Sequence, residues 1–505
     1  MIKRAPQLDH PATGADARLL FILSTALLLA RVAYLLWLTP YGLSPDEAQY
    51  ISWLAHNDWS FLTKPPLTTW LAGLSMAVLG HNLVGVKIFA LLGQVISAAL
   101  AFAIAERAGG RAAGWWAWLA FTTAPIIAAG GLLMVPDAIL LPFYLGALLM
   151  VTRATQAATP QQALCWPRWV GIGVLVGLAG LAKYSAAFFY PCLGLFMLGW
   201  RREWLKHPAP WVSGVIALAL QTPVILWNLH NHWVGLGHVL WQADGGASLA
   251  GESLKMLSEF LASQLLLGPI ILLLILAAWG TGTARLRGLT AAKALLLAFG
   301  FPVFLGFTAL SLHSKVQANW PLLGTVAGLI LVGVWLAQNT PSRRWLWWLA
   351  AAAMALNALL GTMLMDTAPF RQIGLFPVKP KNDPTKDLLG WPQMGSLLGR
   401  VLQDVNNPVV LASRYQTLAP LMFHTPGPYQ VAYINAEGRR LNEYDLWPLP
   451  DMHNRVVVYV SEQAALPPKI AAFFQSCRPW HKLAVEDHDT VSRRLSLWIC
   501  INPVR

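Results

Sequence analysis

Two adjacent carboxylates and a nearby lysine are the first residues in this chain whose types and spacing suggest chemistry. They lie in Leu43-Ser44-Pro45-Asp46-Glu47-Ala48-Gln49-Tyr50 and Thr63-Lys64-Pro65-Pro66. Both stretches follow a long apolar run, 19–38. A charge at a membrane surface between apolar elements loses hydration, so it tends to be rare and functional. A carboxylate there can accept a proton, and an amine can meet negative charge as it develops, which together make a group-transfer site. The competing reading is an ordinary loop, because Ser44-Pro45-Asp46-Glu47 is also a helix start with proline and acids in the first turn. A helix from Pro45 puts Asp46 and Tyr50 on one face at i,i+4.

Further candidates stand downstream. Asp137 follows Leu132-Leu133-Met134-Val135-Pro136 at the start of an apolar segment. There it is either a second functional acid or a first-turn acid favoured by the helix dipole, worth about 0.3–1 kcal/mol. Lys183-Tyr184 ends another apolar run, as a substrate contact or as a lysine snorkelling to water. The stretch His313-Ser314-Lys315-Val316-Gln317-Ala318-Asn319-Trp320-Pro321 offers His313, Lys315 and Asn319, donors suited to a phosphate or sugar, or a plain surface loop. Arg31 sits inside the first apolar run, where an arginine at mid-membrane costs about 2.5–3.5 kcal/mol. It is expected to pair with an outer carboxylate or to snorkel. His230, His232 and His238 cluster without a carboxylate motif, so no metal is predicted and no cofactor is required, although a divalent ion is not excluded.

These residues need elements to hold them, and composition says which. Of 505 residues, 56% are hydrophobic and 12% charged, with 25 tryptophans. Soluble domains carry roughly 25% charge, so a soluble enzyme is excluded. The formal charge of +13 is scattered between apolar runs, the pattern of topology signals rather than of a nucleic-acid groove. Runs at 19–38, 83–105, 112–129, 137–151, 169–181, 185–200, 211–227, 257–279, 291–312, 321–337 and 345–365 predict about eleven membrane-spanning helices. The short run 66–79 is expected to lie along the interface or re-enter. No cleavage site follows 19–38, which is expected to be a retained anchor.

With the N-terminus inside, Arg107, Arg111, Arg201, Arg202, Lys206, Arg343 and Arg344 fall on inner loops, while the outer loops hold Lys64, Lys87, Lys183, Lys255 and Lys315. This obeys the positive-inside rule. It places Asp46, Lys64, Asp137, Lys183 and Lys315 on one outer face, with residues 366–505 outside as well. Those last residues mix charge, proline and short apolar runs. Strands are predicted at 409–412, 430–434, 456–460 and 495–501, and helices at 395–405 and 468–474, giving an α/β domain of ordinary size. Arg414-Tyr415-Gln416 and 442–447 are its most polar-aromatic stretches, read as core and turns before site residues. Cys477 and Cys500 are either free thiols or a pair in an oxidising compartment.

Taken in order, Ser44-Pro45-Asp46-Glu47-Ala48, Lys64-Pro65-Pro66, Pro136-Asp137-Ala138 and Gly180-Leu181-Ala182-Lys183-Tyr184 resemble the GT-C glycosyltransferases. The subgroup is the bacterial one similar to protein O-mannosyltransferases and the lipid A aminoarabinose transferase. Trp227-Asn228, Trp233, His238, Gln264, Asn319-Trp320-Pro321, Asp383-Pro384-Thr385 and Gly390-Trp391 are similar too. The resemblance implies a polytopic helical membrane module, 1–365, with an extracytoplasmic α/β domain, 366–505. It implies an inverting transferase that takes its sugar from a polyprenyl-phosphate donor. Asp46 would be the catalytic acid residue of the first outer loop, Asp137 the second carboxylate and Lys64 the donor-phosphate lysine. Glu47, Tyr50, Lys183, Tyr184, His313, Lys315 and Asn319 are the remaining expected donor or substrate contacts. Acceptors implied are lipid A or core oligosaccharide, a glycolipid, a glycan or a protein at the inner membrane's outer face. No nucleic acid is expected, and a monomer is. Gln49 stands where aminoarabinose transferases carry arginine and Phe61 where they carry tyrosine, which points away from aminoarabinose as the sugar. The rival classes are a lipid-linked-substrate transporter or flippase and an envelope assembly factor without catalysis.

Overall fold

Helix-start signals in the sequence are used as such in the computed structural model, which describes residues 14–56, 58–243, 252–372, 383–436, 438, 441–487 and 490–504. Helix Pro45–Ser52 opens on a capping box: the Ser44 hydroxyl accepts from the Glu47 N–H, and the Glu47 carboxylate accepts from the Ser44 N–H. Pro45 supplies the first helical φ, and two orphan amides are satisfied at once. Helix Pro136–Thr155 likewise begins on a proline, with Asp137 in its first turn.

Among the described residues, seven helices are long and apolar enough to cross a membrane, or nine if two bent pairs each count as one span. About eleven are expected; backbone breaks cut three of those runs, and a fourth, 185–200, lies in Tyr184–Trp200, an apolar helix too short to count as a span. Run 112–129 is cut at Ala124 into helices Arg111–Thr123 and Pro125–Gly130. Run 211–227 is split near Pro223 into Pro208–Ala219 and Thr222–His230, bent by 45°. Run 257–279 turns by 101° between Leu267 and Pro269. The residue at that turn is Gly268, whose φ of +97° is open to glycine and strained for other residues. Proline lacks the N–H and clashes one turn back, so each break falls where hydropathy alone sees continuity.

The chain divides into two compact units. One comprises residues 1–33, 64–68 and 87–365, the other 34–63, 69–86 and 366–505. In the first, helix Leu322–Asn339 is the most enclosed, with 78% of its apolar window buried, against 17% for Gly14–Leu38. Small residues bring its backbones close: a Cβ at Gly333 would stand 2.7 Å from the Ala113 carbonyl oxygen, and one at Gly173 2.6 Å from that of Ser213. Such close approach is how helices associate where lipid is as apolar as leucine. Arg31 is buried and donates to the Ala128 carbonyl at 3.1 Å, instead of reaching a carboxylate or water.

In the second unit a five-stranded sheet runs β2-β1-β3-β5-β4. Its strands are β1 (Val409–Ala412), β2 (Gln430–Tyr433), β3 (Val457–Ser461), β4 (Phe474–Asp487) and β5 (Thr490–Pro503). β1 pairs in parallel with β2 and β3, and β5 is antiparallel to β3 and β4. The central strands β1 and β3 are wholly buried apolar runs, as strands covered on both faces should be. Four strands match the expected runs. β4 was not anticipated, because Pro479, Arg478, His481 and Lys482 break its apolar pattern. At the sheet edge those residues are tolerated, since an edge strand needs fewer ladder donors and is protected by charge. Cys477 and Cys500 face each other across β4 and β5 and form a disulfide.

Candidate functional site

Asp46 and Asp137 both sit in the first turn of a proline-started helix, yet their surroundings differ. Asp137, 8% exposed, is clamped. The Lys183 ammonium donates to both its oxygens, at 2.7 and 2.9 Å, and the Asn319 amide donates to Oδ2 at 2.8 Å. Lys183 comes from the C-cap of helix Trp166–Ala182, whose extended backbone turns the side chain away from the helix, and Asn319 from the turn before Leu322–Asn339. Three residues from distant parts of the first unit thus form one charge-balanced group. A carboxylate that accepts this many charge-assisted and amide hydrogen bonds is fixed in place. Tyr184 begins the short turn Tyr184–Phe188 beside it, partly buried. His313 and Lys315 are exposed.

Asp46 belongs to the second unit and is exposed, while its neighbours Glu47 and Tyr50 are buried. Glu47 spends its carboxylate on the capping box, and the Tyr50 ring packs edge-on against Trp53 at 5.1 Å. Asp46 opens on a polar cleft of about 430 Å³ whose other walls include Arg414, Tyr415, Gln416, Glu462 and Arg493. The Tyr415 hydroxyl donates to Asp46 Oδ1 at 3.1 Å. Burial, and then the Asp46 charge, hold the Tyr415 phenol above its ordinary range, so it stays a donor. Arg493 is a pillar of the cleft: it bonds Glu462 at 3.0 Å and the carbonyls of Leu389 and Lys386, and lies 3.6 Å over the Trp391 ring. Lys64, partly buried, belongs to the first unit. No group of three or more His, Cys, Asp or Glu residues among those described could hold a metal ion.

Segment 442–447 grips the loop after Asp46. Glu443, 4% exposed, accepts the Leu62 N–H at 2.6 Å. Tyr444 and Ser52 share a hydrogen bond at 2.5 Å, and the His56 and Trp447 rings pack at 4.3 Å. Burial pushes the Glu443 carboxyl up to about 7, with the Leu62 N–H partly opposing the rise.

Both acids stand out in the sequence; the cleft walls do not. In the sequence Arg414-Tyr415-Gln416 is only a polar-aromatic stretch. Asp387, Glu462 and Arg493 carry no local signal, since each lies in a different element.

Residues 63–227 match the family model for dolichyl-phosphate-mannose-protein mannosyltransferases. The structure superposes on ArnT of Cupriavidus metallidurans bound to undecaprenyl phosphate with a TM-score of 0.67, at 16% identity, covering 96% of this chain and 98% of that one. The fold is GT-C. That agrees with the resemblance read from the motifs, and the seven to nine apolar helices among the described residues make the chain an integral membrane protein. In sequence, the GT-C chain is 30% identical over 298 residues to the lipid A galacturonosyltransferase RgtD of Rhizobium johnstonii, a match covering 58% of this chain and 60% of that protein. It is 28% identical over 218 residues to undecaprenyl phosphate-alpha-4-amino-4-deoxy-L-arabinose arabinosyl transferase 2 of Pseudomonas fluorescens, covering 39% and 36%. The matched stretches therefore span less than two thirds of either relative's length.

Proposed function

We propose that this protein is an inverting membrane glycosyltransferase that moves a sugar from a polyprenyl-phosphate donor to an envelope acceptor, with lipid A first among the candidates. The observation that carries the proposal is Asp46, a carboxylate at the mouth of a polar cleft in a GT-C fold. The names of the relatives support the donor and acceptor classes. RgtD, together with Gln49 and Phe61 in place of the aminoarabinose-type residues, favours a uronic acid as the sugar.

An acceptor hydroxyl attacks the anomeric carbon and gives its proton to Asp46. The new C–O bond forms as the bond to the phosphate oxygen breaks, and that electron pair leaves on the polyprenyl phosphate. General-base help of this kind contributes about 10²–10⁴ in rate. Lys64 meets the phosphate as its charge grows, which stabilises the transition state more than the ground state. Asp137, held by Lys183 and Asn319 within the first unit, is proposed as the second carboxylate that the reaction needs. An apolar groove of about 370 Å³, lined by Phe188, Cys192, Pro302, Gly306 and Phe307, suits an isoprenoid chain.

The reaction takes place on the outer face of the inner membrane, with residues 366–505 outside. The charge asymmetry of the loops supports this side, as does the Cys477–Cys500 disulfide, which persists in oxidising compartments. Mass spectrometry of envelope glycolipids from a deletion strain tests the proposal. A missing sugar, restored by wild type and not by Asp46→Asn, is the expected result; an unchanged glycolipid profile would overturn it.

A further inference from the structure

The geometry points to Tyr415 as a positioning residue that holds the Asp46 carboxylate correctly turned for proton transfer, an inference that rests on the reading of Asp46 as the base. Tyr415 is more than 360 residues away in sequence, yet its hydroxyl lies 3.1 Å from Asp46 Oδ1 and donates to it. The two side chains belong to the same compact unit.

Other carboxylates crowd the cleft around Asp46. Asp387 and Glu462 line the same cleft, and Glu47 is next in sequence. Like charges disfavour ionisation of a carboxylate. The cations on the cleft wall are Arg414 and Arg493, and Arg493 is bound to Glu462 and to two carbonyls. His424, at the far end of the helix that begins with Tyr415, accepts from the Leu43 N–H. A phenol O–H aimed at one carboxylate oxygen stabilises the charged form and fixes rotation about the Cβ–Cγ bond.

Tyr415 is itself held. It opens helix Tyr415–His424, which packs on helix Pro45–Ser52. The Tyr433 and Tyr444 rings, 5.6 Å apart, complete a cluster beside it, in which Asn442 donates to the Tyr433 hydroxyl and Tyr444 is bonded to Ser52. The donor therefore arrives preorganised, as a positioning group must.

The test follows Asp46 in the full-length protein in detergent. Carbodiimide labelling of residue 46 against pH, read by peptide mass spectrometry, gives its titration midpoint without substrate. Turnover is measured in parallel, with undecaprenyl-phosphate-linked galacturonic acid as donor and lipid A as acceptor. In Tyr415→Phe the midpoint and the acid limb of kcat/KM both move up by about one pH unit, and kcat falls about tenfold with donor KM unchanged. In 3-fluorotyrosine at 415, isosteric and a stronger donor, both move down; this variant serves if the phenylalanine form does not fold. A midpoint that stays at the wild-type pH in both variants overturns the role of Tyr415, even if Asp46→Asn is inactive. Wild-type turnover in Asp46→Asn overturns the base and, with it, the positioning role.

Discussion

Two carboxylates with the same local sequence setting, a proline followed by an acid at a helix start, end in opposite environments. Asp137 is sheltered, and its charge is matched by Lys183 and Asn319. Asp46 is exposed at a cleft, steadied by a phenol. The first arrangement suits a fixed charge, because a carboxylate held by several donors cannot turn toward a substrate. The second suits exchange of a proton with a substrate, since general-base work needs access to the reacting hydroxyl. Local sequence makes both residues helix-start acids; their partners decide what each one does.

The largest expected effect breaks the comparison at its open end. Asp46→Asn should lower kcat by about 10²–10⁴ while leaving donor affinity and thermal stability near wild type. Kinetics and isothermal titration with undecaprenyl phosphate check both halves. If Asp46→Asn instead melts early, Asp46 holds the fold together rather than taking the proton.

At the closed end, Lys183→Met leaves a sheltered carboxylate without its cation and should destabilise by about 3–5 kcal/mol. The double variant Asp137→Asn, Lys183→Met should recover part of that loss, because no unpaired charge remains. Thermal unfolding of purified single and double variants gives the coupling, and additive losses would mean that the pair does not act as a unit.

A smaller effect concerns the grip on the loop after Asp46. Glu443 has a carboxyl raised from 4.5 to about 7, so the folded chain binds more protons than the unfolded one in that window. Its contribution to stability is then complete below about pH 4.5 and is lost as pH rises through about 7, by up to about 3 kcal/mol. Glu443→Gln, which still accepts the Leu62 N–H, should flatten the fall in Tm between pH 5 and 7. An identical slope in both proteins would place the titrating group elsewhere.

Apolar runs long enough to span, the helix start at Ser44-Pro45-Asp46-Glu47 and the buried strands β1 and β3 are all legible in the sequence, because each is a matter of local periodicity and local hydrogen bonding. The breaks at Gly268 and around Pro125 and Pro223 were less so: hydropathy averages over the single residue that removes an N–H or takes a positive φ. β4 escaped notice because its polar pattern makes sense only once it is known to be an edge. Glu47 shows the limit of motif reading. Beside Asp46 in sequence, it is turned inward by the helix it caps.

The sequence by itself determined that the chain lives in a membrane, that helices begin at Pro45 and Pro136 and that Asp46 and Asp137 are its conspicuous acids. Those properties follow from side-chain transfer energies and from backbone groups satisfied within a few residues. Only the tertiary structure decided that Lys183 and Asn319 close on Asp137, that Tyr415 meets Asp46 and that Glu443 takes the Leu62 amide. Each of these joins residues tens to hundreds of positions apart, and contacts of that range exist only after the chain has folded to bring them together.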